Sequence, residues 1–179
     1  MSILVTNVIA LFLSIGWFSD YQPPNKAIDT PYTDEVLTIS DDLYDLQIKI
    51  EATEDNTHNL IVDIKLHKGS HFISPYARRD FTGKFFMDLG SNTDLSFAGE
   101  LIETPRSVEE FDLHPFVGGS VNWVRVNTTY KQPLQLKTQG DFEVFGRIRF
   151  TIEPRCSLEQ ISFSISSKSG KMQIKEAKC

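Results

Sequence analysis

The stretch Phe142-Glu-Val-Phe-Gly-Arg-Ile-Arg-Phe-Thr-Ile152-Glu-Pro-Arg-Cys156-Ser-Leu-Glu-Gln-Ile161-Ser-Phe-Ser-Ile-Ser166 decides the fold. From Phe142 to Ile152 every second residue (Phe142, Val144, Gly146, Ile148, Phe150, Ile152) falls on one face, the period of a strand with one buried side. After Glu153-Pro154-Arg155-Cys156-Ser157 the alternation resumes, with Ile161, Phe163 and Ile165 on one face and Ser162, Ser164 and Ser166 on the other. Gly146 lies within the apolar face and marks a bulge or the close approach of another backbone. Cys156 therefore sits at a corner between two predicted strands.

The same period recurs upstream. Leu46, Ile48 and Ile50 alternate with polar residues, a turn follows at Asn56-Thr57-His58-Asn59, and Leu60, Val62, Ile64 and Leu66 alternate again, which predicts an antiparallel hairpin. Further strands are expected at Lys84–Leu89, Leu95–Ile102, Val121–Tyr130 and Leu134–Lys137. No segment carries a 3.6-residue apolar stripe. Ser107–Phe111 (S-V-E-E-F) offers one helical turn at most, a Ser cap ahead of two carboxylates. Short strands bounded by turn residues, with almost no helix, predict an all-β fold. The expected form is an antiparallel immunoglobulin-like β-sandwich, with a small β-barrel as the alternative.

Residues 1–16 hold no charged side chain and run apolar from Ile3 to Ile15, shorter than the roughly 20 residues of a membrane-spanning helix. With small residues at Ser14 and Gly16 they read as a signal peptide, although no Lys or Arg precedes the run and Asn7 interrupts it. Residues 17–35 read as an extended, proline-bearing linker, 36–166 as the sandwich, and 167–179, with Lys168, Lys171, Lys175 and Lys178, as a polar basic tail. A formal charge of −6 with scattered Lys and Arg argues against nucleic acid as a partner. The membrane enters only through the export leader, and the expected location is the periplasm or the exterior.

No phosphate-binding glycine loop, dinucleotide fingerprint, nucleophile elbow or H-E-x-x-H is present, which disfavours most enzyme classes. His67 and His71 flank Gly69 in a turn without a completing carboxylate or thiol nearby in sequence, so no metal and no cofactor is expected. Asp41-Asp42 and Glu109-Glu110 read as solvated acidic pairs. Trp123, Phe72, Tyr76, Phe81, Phe85 and Phe86 read first as core and second as a groove. The stretch Ser70–Phe86 mixes aromatics with Arg78, Arg79 and Lys84 and lacks alternation, as an exposed recognition loop does; His71, Phe72, Tyr76, Arg78 and Arg79 are its candidate contact residues. Cys156 is the candidate reactive residue. Cys179 is the only other thiol, so a Cys156–Cys179 bridge, a free buried Cys156 and a disordered Cys179 all remain open.

Three segments resemble the N-terminal immunoglobulin-like domain of the thiol:disulfide interchange protein DsbD: Leu60–Ser74 with Gly69, His71 and Phe72, Leu95–Pro105, and Phe145–Ile165 with its cysteine corner. The likeness spans about residues 36–166. It implies a secreted sandwich that meets a redox partner at this corner. In that family two cysteines a few residues apart form a disulfide that accepts and passes on electrons. Here Cys156-Ser157-Leu158 matches the second cysteine, and the place of the first, within Phe150–Pro154, has none. One thiol cannot cycle by exchange without a partner. The expectation is thus a non-catalytic exported domain that binds or scaffolds an envelope protein. The alternative is thiol-disulfide exchange through Cys156 alone or with Cys179.

Overall fold

The computed structural model describes residues 35–53, 57–115 and 117–177. The expected leader, nearly all of the linker and Cys179 lie outside the described residues. In chain order the strands are β1 (Leu37–Ser40), β2 (Tyr44–Ala52), β3 (His58–Leu66), β4 (Phe72–Ile73), β5 (Phe86–Leu89), β6 (Leu95–Phe97) and β7 (Ile102–Thr104). They continue with β8 (Glu109–Asp112), β9 (Gly119–Val124), β10 (Thr128–Leu136), β11 (Phe142–Ile152), β12 (Ser157–Lys168) and β13 (Lys171–Glu176). One sheet runs β1-β2-β3-β10-β6, with β7 also on β10; a second runs β13-β12-β11-β5; a short third runs β4-β9-β8. All pairings are antiparallel and no sheet closes into a barrel, so the fold is an antiparallel immunoglobulin-like β-sandwich.

The two alternating stretches become the centres of the two large sheets. Leu46, Ile48 and Ile50 pair with Ile64, Val62 and Leu60, and all six are buried. Phe142 to Ile152 pairs with Ser167 to Ser157 without a break, and the residues read as inward from the period are buried. The two inner faces meet in one apolar cluster. At its middle Phe85 stacks on Tyr130 at 4.0 Å, and Phe72 meets Phe150 at 5.2 Å. Each such ring removed from water contributes about 1.5–3 kcal/mol before entropy is counted. A Cβ on Gly146 would lie 2.5 Å from Phe163 Cζ and 3.0 Å from the Asp88 carbonyl oxygen. The glycine marks a close approach, made by the Phe163 ring and the β5 backbone.

Several local expectations are corrected. Ser107–Phe111 does not form a helical turn: Glu109–Asp112 is β8, which pairs with β9, and Asp112 finds Trp123 on β9 while Glu110 finds Arg125 just past its end. Val121–Tyr130 is two strands separated at Arg125–Asn127, and β10 runs on through Pro133 into the segment expected to be separate. Leu95–Ile102 likewise divides into β6 and β7, which pair end to end along β10. The basic tail is replaced over Lys171–Glu176 by β13, which pairs with β12 and buries Met172 and Ile174. Ser70–Phe86 is not uniformly exposed. Phe72 forms β4 and is fully buried in the aromatic centre, so its side chain is core and offers no surface for a partner.

Candidate functional site

The β11–β12 corner is built by Glu153, Pro154, Arg155 and Cys156, between the paired residues Ile152 and Ser157. His71 and Glu153 exchange backbone hydrogen bonds of 3.2 and 2.9 Å, which fasten the segment after β3 to the corner. Arg155 is held from several sides. Its Nε donates to Ser157 Oγ at 2.8 Å, its Nη1 to Asp42 Oδ1 at 2.9 Å and Asp41 Oδ2 at 3.3 Å, and its Nη2 to Glu159 Oε1 at 3.0 Å. Asp41 and Asp42 are therefore not a bare solvated pair: they close the corner against the β1–β2 turn. The Leu43 backbone N–H donates to Asp41 at 2.9 Å and, with Arg155 behind it, holds that carboxyl below its ordinary value.

Cys156 follows at φ +55°, a left-handed conformation that a side chain bearing Cβ seldom adopts, and it is exposed. It lies on the rim of an open cleft of about 450 Å³ lined by His71, Ile73, Phe81, Asp112, His114, Val117, Trp123, Glu153 and Pro154. The cleft wall is cross-braced. The His71 ring meets Trp123 edge-on at 4.8 Å, and Trp123 Nε1 donates to Asp112 Oδ2 at 2.9 Å. The His114 N–H donates to Asp112 at 2.7 Å; with the indole N–H it holds the Asp112 carboxyl below its ordinary value. Arg79 donates to the Val117 carbonyl oxygen and lies 4.8 Å over the Phe81 ring, so it positions two lining residues.

Of the residues singled out in the sequence, the structure brings His71, Phe81, Trp123 and Cys156 to one cleft and places Arg79 behind its wall. It does not bring Tyr76 or Arg78 there. The Tyr76 hydroxyl donates to the Leu101 carbonyl oxygen and its ring carries the Arg106 guanidinium at 3.2 Å. Arg78 is 86% exposed and lies 3.8 Å from Glu109. The two histidines of the 67–71 pair are divided: His67 bonds Asp45 at 2.9 Å, while His71 faces Trp123. Among the described residues no group of three or more His, Cys, Asp or Glu is arranged to hold a metal. Asp112, His114 and Val117 were missed. They lie just beyond Ser107–Phe111, the span expected to form a helical turn, and no local signal ties them to the cysteine corner.

A second polar cluster lies inside the fold. Glu103, 4% exposed, accepts from Ser74 Oγ at 2.7 Å, Tyr130 OH at 2.8 Å and the Ser107 backbone N–H at 2.7 Å. It ties β7 to β10 and to the segments flanking β4 and β8. Burial, and then the Glu103 carboxylate, push the Tyr130 phenol far above its ordinary value, so the hydroxyl stays protonated and donates.

Among solved structures the chain is similar to the N-terminal domain of DsbD from Neisseria meningitidis in the reduced form. The identity is 7%, the TM-score is 0.44, and the alignment covers 75% of this chain and 91% of that one. The likeness is one of fold. No protein-family model and no curated protein matches the chain.

Proposed function

We propose that this chain is an exported, non-catalytic β-sandwich that binds another envelope protein through the cleft beside Cys156. The observation that carries the reading is the composition of that cleft: Trp123, Phe81, Ile73, Val117 and Pro154 supply apolar surface, and Asp112, Glu153, His71 and His114 supply directional groups. Aromatic residues with a few polar neighbours are the makings of an interface centre. Arg155, the cation next to the thiol in sequence, is committed to three carboxylates and Ser157, so its role is to hold the corner.

Benzoylphenylalanine placed at His114, in the native host, is expected to cross-link one envelope protein reproducibly. The same group at Glu143, an exposed position on β11, is expected not to. Equal cross-linking at both positions, or none at His114, would overturn the reading. Export is tested separately by the mature N-terminus, expected near Trp17; retention of Met1 contradicts it.

The exposure and left-handed backbone of Cys156 favour a second reading, thiol-disulfide exchange. In that case the Cys156 thiolate attacks a disulfide of the partner, one new S–S bond forms, and the displaced partner sulfur leaves as thiolate. Thiol labelling with and without reductant, followed by peptide mapping, separates the two readings, because only exchange or a Cys179 bridge leaves Cys156 blocked until reduction.

A further inference from the structure

The most exposed large hydrophobic side chains among the described residues are Leu113 at 85%, Val108 at 79% and Phe111 at 72%, and all three fall in Val108-Glu-Glu-Phe-Asp-Leu113. This segment contains β8, the terminal strand of its sheet: it bonds to β9 on one side and, among the described residues, to no strand on the other. An edge strand presents unpaired N–H and C=O groups and is ordinarily protected by charge. Glu109, Glu110 and Asp112 give that protection. Three exposed hydrophobics interleaved with them do the opposite, since they reward a chain that covers the edge.

We infer that β8 is a docking edge that accepts an extended strand of a partner protein, one that alternates apolar with basic side chains. The inference rests on the reading of this chain as a recognition domain and names the element that meets the partner. Alternation along β8 puts Phe111 and Leu113 with Glu109 on one face and Glu110 with Asp112 on the other. An added strand gains main-chain hydrogen bonds, and its apolar residues cover Phe111 and Leu113. The charge selects the occupant. Of the three carboxylates in these four residues, Glu110 meets Arg125 at 2.8 Å and Glu109 meets the exposed Arg78 at 3.8 Å, which leaves the edge net acidic. A second copy of this chain is disfavoured, because the antiparallel register that pairs all four residues sets Glu109 against Asp112 and brings like charges together. A basic strand relieves that charge.

The test is a titration of the isotope-labelled full chain with a capped peptide alternating valine and lysine, followed by backbone NMR. The expected result is shifts confined to Val108–Leu113 and neighbouring β9, with slowed amide exchange along β8. Glutamate in place of lysine, or proline at the peptide centre, is expected to weaken binding about tenfold or more. Phe111→Ser, at a position too exposed to carry the fold, is expected to weaken it similarly. No shift on β8, shifts elsewhere, or equal binding of the acidic peptide overturns the inference. So does a dimer in light scattering that Phe111→Ser disperses, which would make the occupant a second copy. A cross-link from His114 without any β8 response leaves the recognition reading standing and removes only the docking edge.

Discussion

Two carboxylate clusters in this protein are built in opposite ways. At the cysteine corner, Asp41, Asp42 and Glu159 surround a guanidinium near the surface, where water and salt screen the attraction. Inside the fold, the hydrogen-bonding partners of Glu103 among the described residues are two hydroxyls and one backbone N–H, with no cation. The first can be altered at small cost to stability, because solvent replaces whatever is lost. The second cannot, because the Ser74 and Tyr130 hydroxyls deprived of Glu103 stay buried. The difference separates a region that tolerates change from one fixed by the fold.

The largest effect is therefore expected for Glu103→Ala. It strands Ser74, Tyr130 and the Ser107 N–H together and should cost about 3 kcal/mol or more, read as a lower urea midpoint. Tyr130→Phe keeps the stacked ring on Phe85 and removes one bond to the carboxylate, for an expected loss of about 1.5–3 kcal/mol. If either variant is as stable as the parent, Glu103 is not the tie between sheets and the comparison fails.

The corner should respond to pH instead. Asp41 is held below the ordinary carboxylate value of 3.8 by its backbone hydrogen bond and Arg155, so the folded form favours the ionised state. Its contribution is fully present above that value and is lost as the pH falls through the depressed folded value. The stability difference between the parent and Asp41→Asn should accordingly hold at neutral pH and shrink in urea titrations taken down to about pH 3. A difference that grows toward acid would reverse the assignment. The smallest stability effect is expected for Arg155→Ala, near the resolution of such a titration, together with faster alkylation of Cys156 as the corner loosens. An unfolded variant would show that the corner is structural after all.

The hairpins β2–β3 and β11–β12 were legible because one buried face repeats every second residue, and a period needs no knowledge of the partner strand. Gly146 was legible for a related reason, as a missing side chain within an apolar row. β8 was misread because S-V-E-E-F satisfies a helix-start pattern locally, while the contacts that make it a strand, Arg125 and Trp123, lie beyond the next turn. β13 was missed because only Met172 and Ile174 face inward among several lysines. The cleft was legible only in part: His71, Phe81, Trp123 and Cys156 were named, but nothing in the sequence joined them. Its lining comes from four separate stretches of chain, and the partners of Arg155 at Asp41 and Asp42 are brought to it by the sandwich alone. Glu103 gave no signal either, since a lone Glu before Thr-Pro reads as surface.

The central claim, that the Cys156 corner is covered by a partner and is not a redox pair, is tested most directly by the alkylation rate of Cys156. The rate is compared between the native compartment and the purified chain, with and without reductant. The account predicts slower labelling in the compartment, recovery on purification, and no need for reductant. Equal rates would mean that nothing covers the cleft, and labelling that appears only after reduction would make Cys156 a disulfide partner.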